Sequence, residues 1–225
     1  MEGIIGLMSG SGGDTDPLFM YHAYNAGILT ENTFSIFLTT TSTEIDSSGA
    51  SYIDFGAPDS TIVAQGVTYI PNTAGDGWWT ADVTGFYLED DPSTLYQLTT
   101  ASGITDSGSS AISGPEAEVE GMKTLLKTYL TDYSEDSDWG ALFYCSERSN
   151  LPNFYMAYGD YWFQVRPEDY ATCVNWTDDV CGFTIDSYDG GWILGNSFMR
   201  GYYIIHDAAN QQQGFIPVDE GNGLT

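Results

Sequence analysis

The sequence predicts a mainly β protein, and three features carry that prediction. Aromatic residues make up 15% of the chain, with 16 Tyr among them, and aromatic side chains suit a pleated, half-buried surface. Glycine (26) and proline (8) recur between short apolar runs, which is the punctuation of tight turns rather than of long helices. The runs themselves are strand-length, as in Phe34-Ser35-Ile36-Phe37-Leu38 and Tyr52-Ile53-Asp54-Phe55-Gly56. At 225 residues, 42% of them hydrophobic, the chain can bury a sizeable core as one large β domain or two small ones.

From the front, Gly3-Ile4-Ile5-Gly6-Leu7 reads as a buried piece, followed by a Gly/Ser/Asp loop from Ser9 to Asp16. Pro17 opens a helix over Leu18 to Ala26, and Gly27 is placed to end it. The two strand-like runs follow, separated by a polar stretch from Thr39 to Ser48. Gly56 to Ile70, with Ala57-Pro58-Asp59 and Gly66, is the best crossing between two domains. Trp78 to Val83, Phe86-Tyr87-Leu88 and Ile104-Thr105 are the next strand segments. Then comes the one strong helix. Ser113 and Glu116 form a capping box, Pro115 sits in the first turn, and Val119, Met122, Leu126, Tyr129 and Leu130 recur at helical spacing. Phe154 to Tyr158 and Tyr161 to Val165 form a hairpin on the two-residue turn Gly159-Asp160. Trp192-Ile193-Leu194-Gly195, Tyr202 to Ile205 and Gly214 to Val218 close the chain as strands.

Composition excludes several functions. Five basic against 32 acidic residues give a net charge of −27, which repels nucleic acid and anionic membranes. So large an acidic excess is either a solvated surface or an adaptation to acid, where protonation relaxes the repulsion. No apolar run is long enough to span a membrane. Met1-Glu2-Gly3 runs into apolar chain without the basic region of a signal peptide. The three cysteines, Cys145, Cys173 and Cys181, form no CxxC or Cys/His cluster, so no metal is expected. Asn175-Trp176-Thr177 is an N-glycosylation acceptor and mild support for a secretory route.

One short motif carries chemistry. An apolar strand end at Ile104 delivers Asp106 into Ser107-Gly108-Ser109-Ser110. Alone, such a tripeptide is an Asp opening a tight turn. Its frame changes that reading. A Ser-Gly-Pro helix start follows within a few residues, and Trp192-Ile193-Leu194-Gly195 lies downstream. Gly3-Ile4-Ile5-Gly6 is a weak internal echo of that later segment.

In this combination the chain resembles the pepsin and cathepsin D family of aspartic endopeptidases. There Asp-Thr/Ser-Gly-Thr/Ser carries a catalytic aspartate, and an apolar-apolar-Gly segment packs beneath it in a psi-shaped loop. Asp106-Ser107-Gly108-Ser109-Ser110 and Ile193-Leu194-Gly195 match these in order. Leu151-Pro152 matches too, as does the closing stretch from Trp192 to Val218, so the resemblance spans essentially the whole chain. It implies a bilobal acid-protease fold with residues 1–66 as the remnant of an N-terminal lobe and 67–225 as a nearly complete C-terminal lobe. It also implies a water activated between two carboxyl groups, with no metal, cofactor or covalent intermediate.

Under the resemblance Asp106 is catalytic, and Ser107, Gly108 and Ser109 support its loop. Ser109, Ser110, Ile193 and the more loosely aligned Trp78 contact substrate. Ile193 reads equally well as a core apolar, and Trp78 reads more readily as one. Cys145 corresponds to a disulfide partner whose mate is either Cys173 or Cys181. His22, His206, Asp54, Asp82 and Asp207 receive surface or structural roles. The chain also departs from the family, since no second Asp-Thr/Ser-Gly-Thr/Ser and no tyrosine-bearing flap are found. The sequence is therefore expected to begin partway through the first lobe, to be inactive alone, and to expose apolar strands such as Phe34 to Leu38.

The activity implied is acid-pH endoproteolysis of protein or peptide substrates flanked by apolar residues. A full-length form is expected to be a monomer of the lysosome, an acidic vacuole or the secreted fraction. Two rivals stand beside it. One is a catalytically inactive binding relative, and the other a lone lobe that dimerises to pair two copies of Asp106.

Overall fold

A computed structural model of the chain describes residues 3–10, 18–39, 51–73, 75, 77–175 and 179–217. The first third holds α1 (Phe19–Asn25), β1 (Thr33–Phe37), β2 (Tyr52–Phe55), α2 (Ser60–Val63) and β3 (Thr68–Pro71). The middle runs through β4 (Thr80–Leu88), β5 (Asp91–Thr105), β6 (Ile112–Gly114), α3 (Glu116–Lys127), β7 (Ser134–Asp136) and β8 (Gly140–Tyr144). After β9 (Phe154–Tyr158) and β10 (Tyr161–Val165) come α4 (Pro167–Tyr170), β11 (Ala171–Asn175), β12 (Val180–Phe183) and β13 (Ile185–Ser187). The chain ends with β14 (Trp192–Leu194), α5 (Asn196–Met199), β15 (Tyr202–Asp207) and β16 (Gln212–Pro217). The protein is mainly β, as its aromatic and glycine content implies.

Local chemistry sets most boundaries. Gly27 follows the last helical turn of α1 at φ +69°, a backbone state that side chains other than glycine adopt at a cost. Gly159, at φ +61°, makes the two-residue hairpin between β9 and β10, with Tyr161 opposite Tyr158. The expected capping box does not form. Pro115 is the N-cap of α3, and no side chain caps it. Ser113 instead lies inside β6, opposite Ile193 on one side and Asp186 on the other, so sheet pairing takes the residue the cap needed. Pro17 and the polar stretch near residue 45 lie outside the described residues.

Three sheets form among the described residues. The five-stranded one has the order β2-β1-β15-β16-β3. It joins the two ends of the sequence, with Phe34 opposite His206 and Phe37 opposite Tyr203. The strand Phe34 to Leu38 is therefore not an exposed apolar edge, contrary to the sequence-based expectation. Phe34 and Ile36 are buried, and the Phe34 ring stacks on His206 at 4.4 Å and meets Trp79 edge-on at 5.7 Å. The seven-stranded sheet runs β10-β9-β4-β5-β14-β6-β13, and the four-stranded one β11-β12-β8-β7. An aromatic cluster of Tyr158, Phe163, Phe198, Tyr202 and Phe215 packs the five- and seven-stranded sheets together.

Cys145 bonds Cys181, with their Cα atoms 4.9 Å apart. Cys173, the other candidate mate, is a free thiol. The strand order explains the choice. β12 lies between β8 and β11, so a Cys145–Cys173 bond has to cross about two strand spacings, roughly 9–10 Å, where a disulfide spans at most about 7 Å. The side chain of Asn175 and residues 176–178 fall outside the described residues, so the glycosylation acceptor does too.

Candidate active site

The site is built where β14 slots between β5 and β6. It runs parallel to β5, with Ile193 opposite Ile104 and Leu194 opposite Thr105. On its other side it pairs antiparallel with β6, with Leu194 opposite Ile112. This crossover fixes the loop between β5 and β6 from below. The Asp106 amide donates to the Leu194 carbonyl at 3.2 Å, and the Gly195 amide donates to Ala111 at 3.1 Å. Next, the Asn196 and Ser197 amides donate to Ser109 and Ser110 at 2.8 and 3.1 Å. The Ser197 hydroxyl adds a second bond to the Ser110 carbonyl at 3.0 Å. Four successive residues, Leu194 to Ser197, thus each make a backbone bond to the loop from Asp106 to Ala111, and one of these bonds reaches Asp106 itself.

Gly195 is required by proximity rather than by its dihedral angles. A Cβ at that position meets the carbonyl oxygens of Ser109 and Ala111 well inside contact distance. Gly114 makes similar room for the ring of the buried Trp192, and Gly103 makes room for Val83 and, less tightly, for the Trp192 Cβ, so β14 can lie flat against both neighbours.

Above this support the Asp106 carboxyl is held at both oxygens. The Gly108 amide donates to Oδ1 at 2.9 Å, and the Ser109 hydroxyl donates to Oδ2 at 2.6 Å. The Ser109 amide closes the turn onto the Asp106 carbonyl at 3.1 Å. Asp106 and Ser109 are half-buried, whereas Ser107, Gly108 and Ser110 are exposed. One residue upstream, the Thr105 hydroxyl donates to Gln213 Oε1 at 2.6 Å. Gln213 Nε2 in turn donates to Tyr158 Oη at 2.9 Å, and the Tyr158 hydroxyl to the Trp79 carbonyl at 3.1 Å. This buried polar chain ties the strand end beneath Asp106 to β16, β9 and the start of β4.

Asp106, Ser107 and Gly108 line a cavity of about 340 Å³. Its apolar wall includes Ile4, Ile5, Phe34, Trp78 and Met199, with His206 beside them. Trp78 is therefore brought to the same cavity as Asp106, and the residue is 45% exposed. Ile193 is half-buried between Ile104 and Ser113 and is not part of that wall. Sequence reasoning missed Phe34, Met199 and His206 as wall residues. Each reads as an ordinary strand or helix residue, and only the pairing of β1 with β15 brings two of them together. Burial against Phe34 and Trp79 pushes the His206 imidazole down to about 3, so it is neutral over most of the acid range.

Asp106 is the one carboxylate among the described residues lining this cavity. Asp54 and Asp207 are engaged elsewhere. Asp54 accepts from the Tyr203 hydroxyl at 2.8 Å, and Asp207 from the Asn210 amide at 3.0 Å and its side chain at 2.7 Å. Asp82 is exposed. No group of three His, Cys, Asp or Glu among the described residues is placed to hold a metal ion. No helix among them is long and apolar enough to cross a membrane.

The family model described as eukaryotic aspartyl protease matches residues 1–218. Pepsin-3 of Oryctolagus cuniculus is 28% identical over 221 residues, which cover 95% of this chain and 53% of that protein. Cathepsin D of Dictyostelium discoideum is 29% identical over 227 residues, covering 98% and 56%. Pepsin A of Sus scrofa is 26% identical over 225 residues, covering 96% and 54%. The chain spans about half the length of the curated relatives it matches.

Proposed function

Because the chain belongs to the eukaryotic aspartyl protease family, we propose that it serves acid endoproteolysis, with Asp106 as one of two carboxyl groups that activate water. The observation that carries this reading is the doubly hydrogen-bonded Asp106 carboxyl at a half-apolar cavity. Such a carboxyl is fixed in orientation without being neutralised by a cation. In the ionised form it takes a proton from water, and the resulting hydroxide attacks a peptide carbonyl. In the protonated form it donates to that carbonyl oxygen or to the departing amine. Two carboxyl groups held close cannot both ionise at low cost, so one of each kind is available in acid.

The second carboxyl is not among the described residues that line the cavity. The proposed dyad is completed by another part of the natural protein. On this reading residues 1–66 belong to one lobe and 67–225 to the other, with β1 and β2 joining the sheet they share. Trp78, Ile4 and Ile5 favour bulky apolar side chains beside the scissile bond. Ser109, Ser110 and Ile193 retain their proposed substrate contacts. The disulfide supports a secretory route, ending in an acidic compartment or outside the cell.

The test is cleavage of an unfolded polypeptide by the naturally expressed protein across pH 2.5–7.5, with and without a pepstatin-type inhibitor. Activity peaking below about pH 5, lost on Asp106→Asn and blocked by the inhibitor, is expected. A neutral optimum, or indifference to the inhibitor, overturns it. The single carboxylate in the cavity also favours a second reading, a binding protein without chemistry. That reading requires saturable inhibitor binding with no cleavage at any pH.

A further inference from the structure

Cys181 lies on the middle strand of three and has a sulfur neighbour on each flank. β12 is bordered by β8 on one side and β11 on the other. On the β8 flank, Cys145 follows the strand end, its amide donates to the Asp179 carbonyl at 2.9 Å, and its sulfur is bonded to Cys181. On the β11 flank, Cys173 is the residue directly opposite Cys181. Opposed residues in an antiparallel pair project to the same face, with Cβ atoms about 4.5–5.5 Å apart. That face is the core. Cys181 is fully buried there, and both Cys145 and Cys173 pack against the same apolar cluster. The adjacent pair, Thr172 and Gly182, faces the other way, where Thr172 meets Thr184 at 3.1 Å and Trp139 covers Gly182. A free thiol therefore stands beside a disulfide on one side of one sheet.

We propose that Cys145 and Cys173 compete for Cys181, so that this sheet supports two alternative disulfides interconverted by internal exchange. The Cys173 thiolate attacks Sγ of Cys181. A Cys173–Cys181 bond forms as the Cys145–Cys181 bond breaks, and the electron pair leaves on Cys145 Sγ. That thiolate takes up a proton equivalent to the one Cys173 released. One disulfide is present before and after, so the step needs neither oxidant nor reductant.

Chain length and tertiary structure favour different pairs. Cys145 and Cys181 are 36 residues apart, and Cys173 and Cys181 are separated by 181 − 173 = 8. In an unfolded chain, loop closure falls with about the 3/2 power of length, so the short loop closes roughly tenfold more readily. Once β8 pairs with β12, Cys145 is brought within bonding reach, and Cys145–Cys181 is the pair the folded protein holds. Exchange through Cys173 thus carries the pair that forms first into the pair that lasts. In that direction the Cys145 thiolate is the nucleophile and Cys173 the leaving group, the reverse of the step above, so the otherwise unexplained third cysteine keeps Cys181 exchangeable until β8 is in place.

The experiment is oxidative refolding of the reduced, unfolded chain in a glutathione redox buffer near pH 8. Samples are quenched in acid, alkylated, and mapped for disulfide-linked peptides by mass spectrometry. The Cys173–Cys181 peptide is expected first, in roughly tenfold excess, followed by its loss as Cys145–Cys181 accumulates. The alkylated cysteine then moves from Cys145 to Cys173. Appearance of Cys145–Cys181 as the first pair, with Cys173 alkylated throughout, overturns the proposal. So does capture of Cys173 only as a glutathione adduct or an intermolecular dimer. Cys145→Ser gives a second measure: its two remaining thiols are expected to bond within the monomer. If they stay reduced in a buffer that oxidises the wild type, the proposal fails. Mapping of the wild type decides the matter even where that variant does not fold.

Discussion

The amide of Asp106 donates to the carbonyl of Leu194 at 3.2 Å, so the candidate catalytic loop hangs from a strand that arrives late in the sequence. Everything the loop presents to the cavity depends on that crossing. The crossing in turn depends on Gly195, whose missing side chain lets two carbonyls approach.

Gly195→Ala is therefore expected to destabilise the fold by about 3 kcal/mol, although φ −78° and ψ −160° are open to alanine. The penalty is steric and falls on the Ser109 and Ala111 carbonyls. Denaturant unfolding measures it, and a loss below about 1 kcal/mol contradicts the argument.

Ser109→Ala removes the 2.6 Å bond to Asp106 Oδ2 while leaving the Gly108 bond in place. A stability loss of about 1 kcal/mol is expected, with inhibitor binding weakened about tenfold. Ser109→Thr keeps the hydroxyl and is expected to restore binding. Calorimetric titration of the pair separates the lost bond from a general loosening.

Phe34→Ala is expected to cost about 3–5 kcal/mol, because the ring is buried between His206 and Trp79. Were β1 a loose apolar edge, the same change would be nearly neutral. Thermal melts of the two proteins decide between these outcomes.

Burial lowers His206 to about 3 from its ordinary value of 6.5, so between those limits the unfolded chain binds a proton that the folded chain does not. Stability from this residue is complete above about pH 6.5 and falls as the pH drops towards 3. Asp169 acts in the opposite sense. Burial raises it to about 6 against the pull of Arg166, so its effect becomes more favourable as pH falls through 6. His206→Phe is expected to recover on the order of 3 kcal/mol at pH 4 relative to pH 7. Unfolding free energies of both proteins at the two pH values test it.

By itself the sequence determined the strand-rich class, the hairpin at Gly159-Asp160, the helix after Pro115, and Asp106-Ser107-Gly108 as the place to look for chemistry. These are local matters of periodicity, turn residues and short-range spacing. Ser113 marks the limit of such reasoning, since a residue suited to cap a helix was drawn into a strand by neighbours distant in sequence. Tertiary structure alone decided that Phe34 stacks on His206, that Cys145 pairs with Cys181, and that Trp78 but not Ile193 borders the cavity. Each depends on which strands lie side by side. Strand order is a non-local outcome, set when β1 met β15 and β14 slid between β5 and β6, and no short stretch of residues carries it.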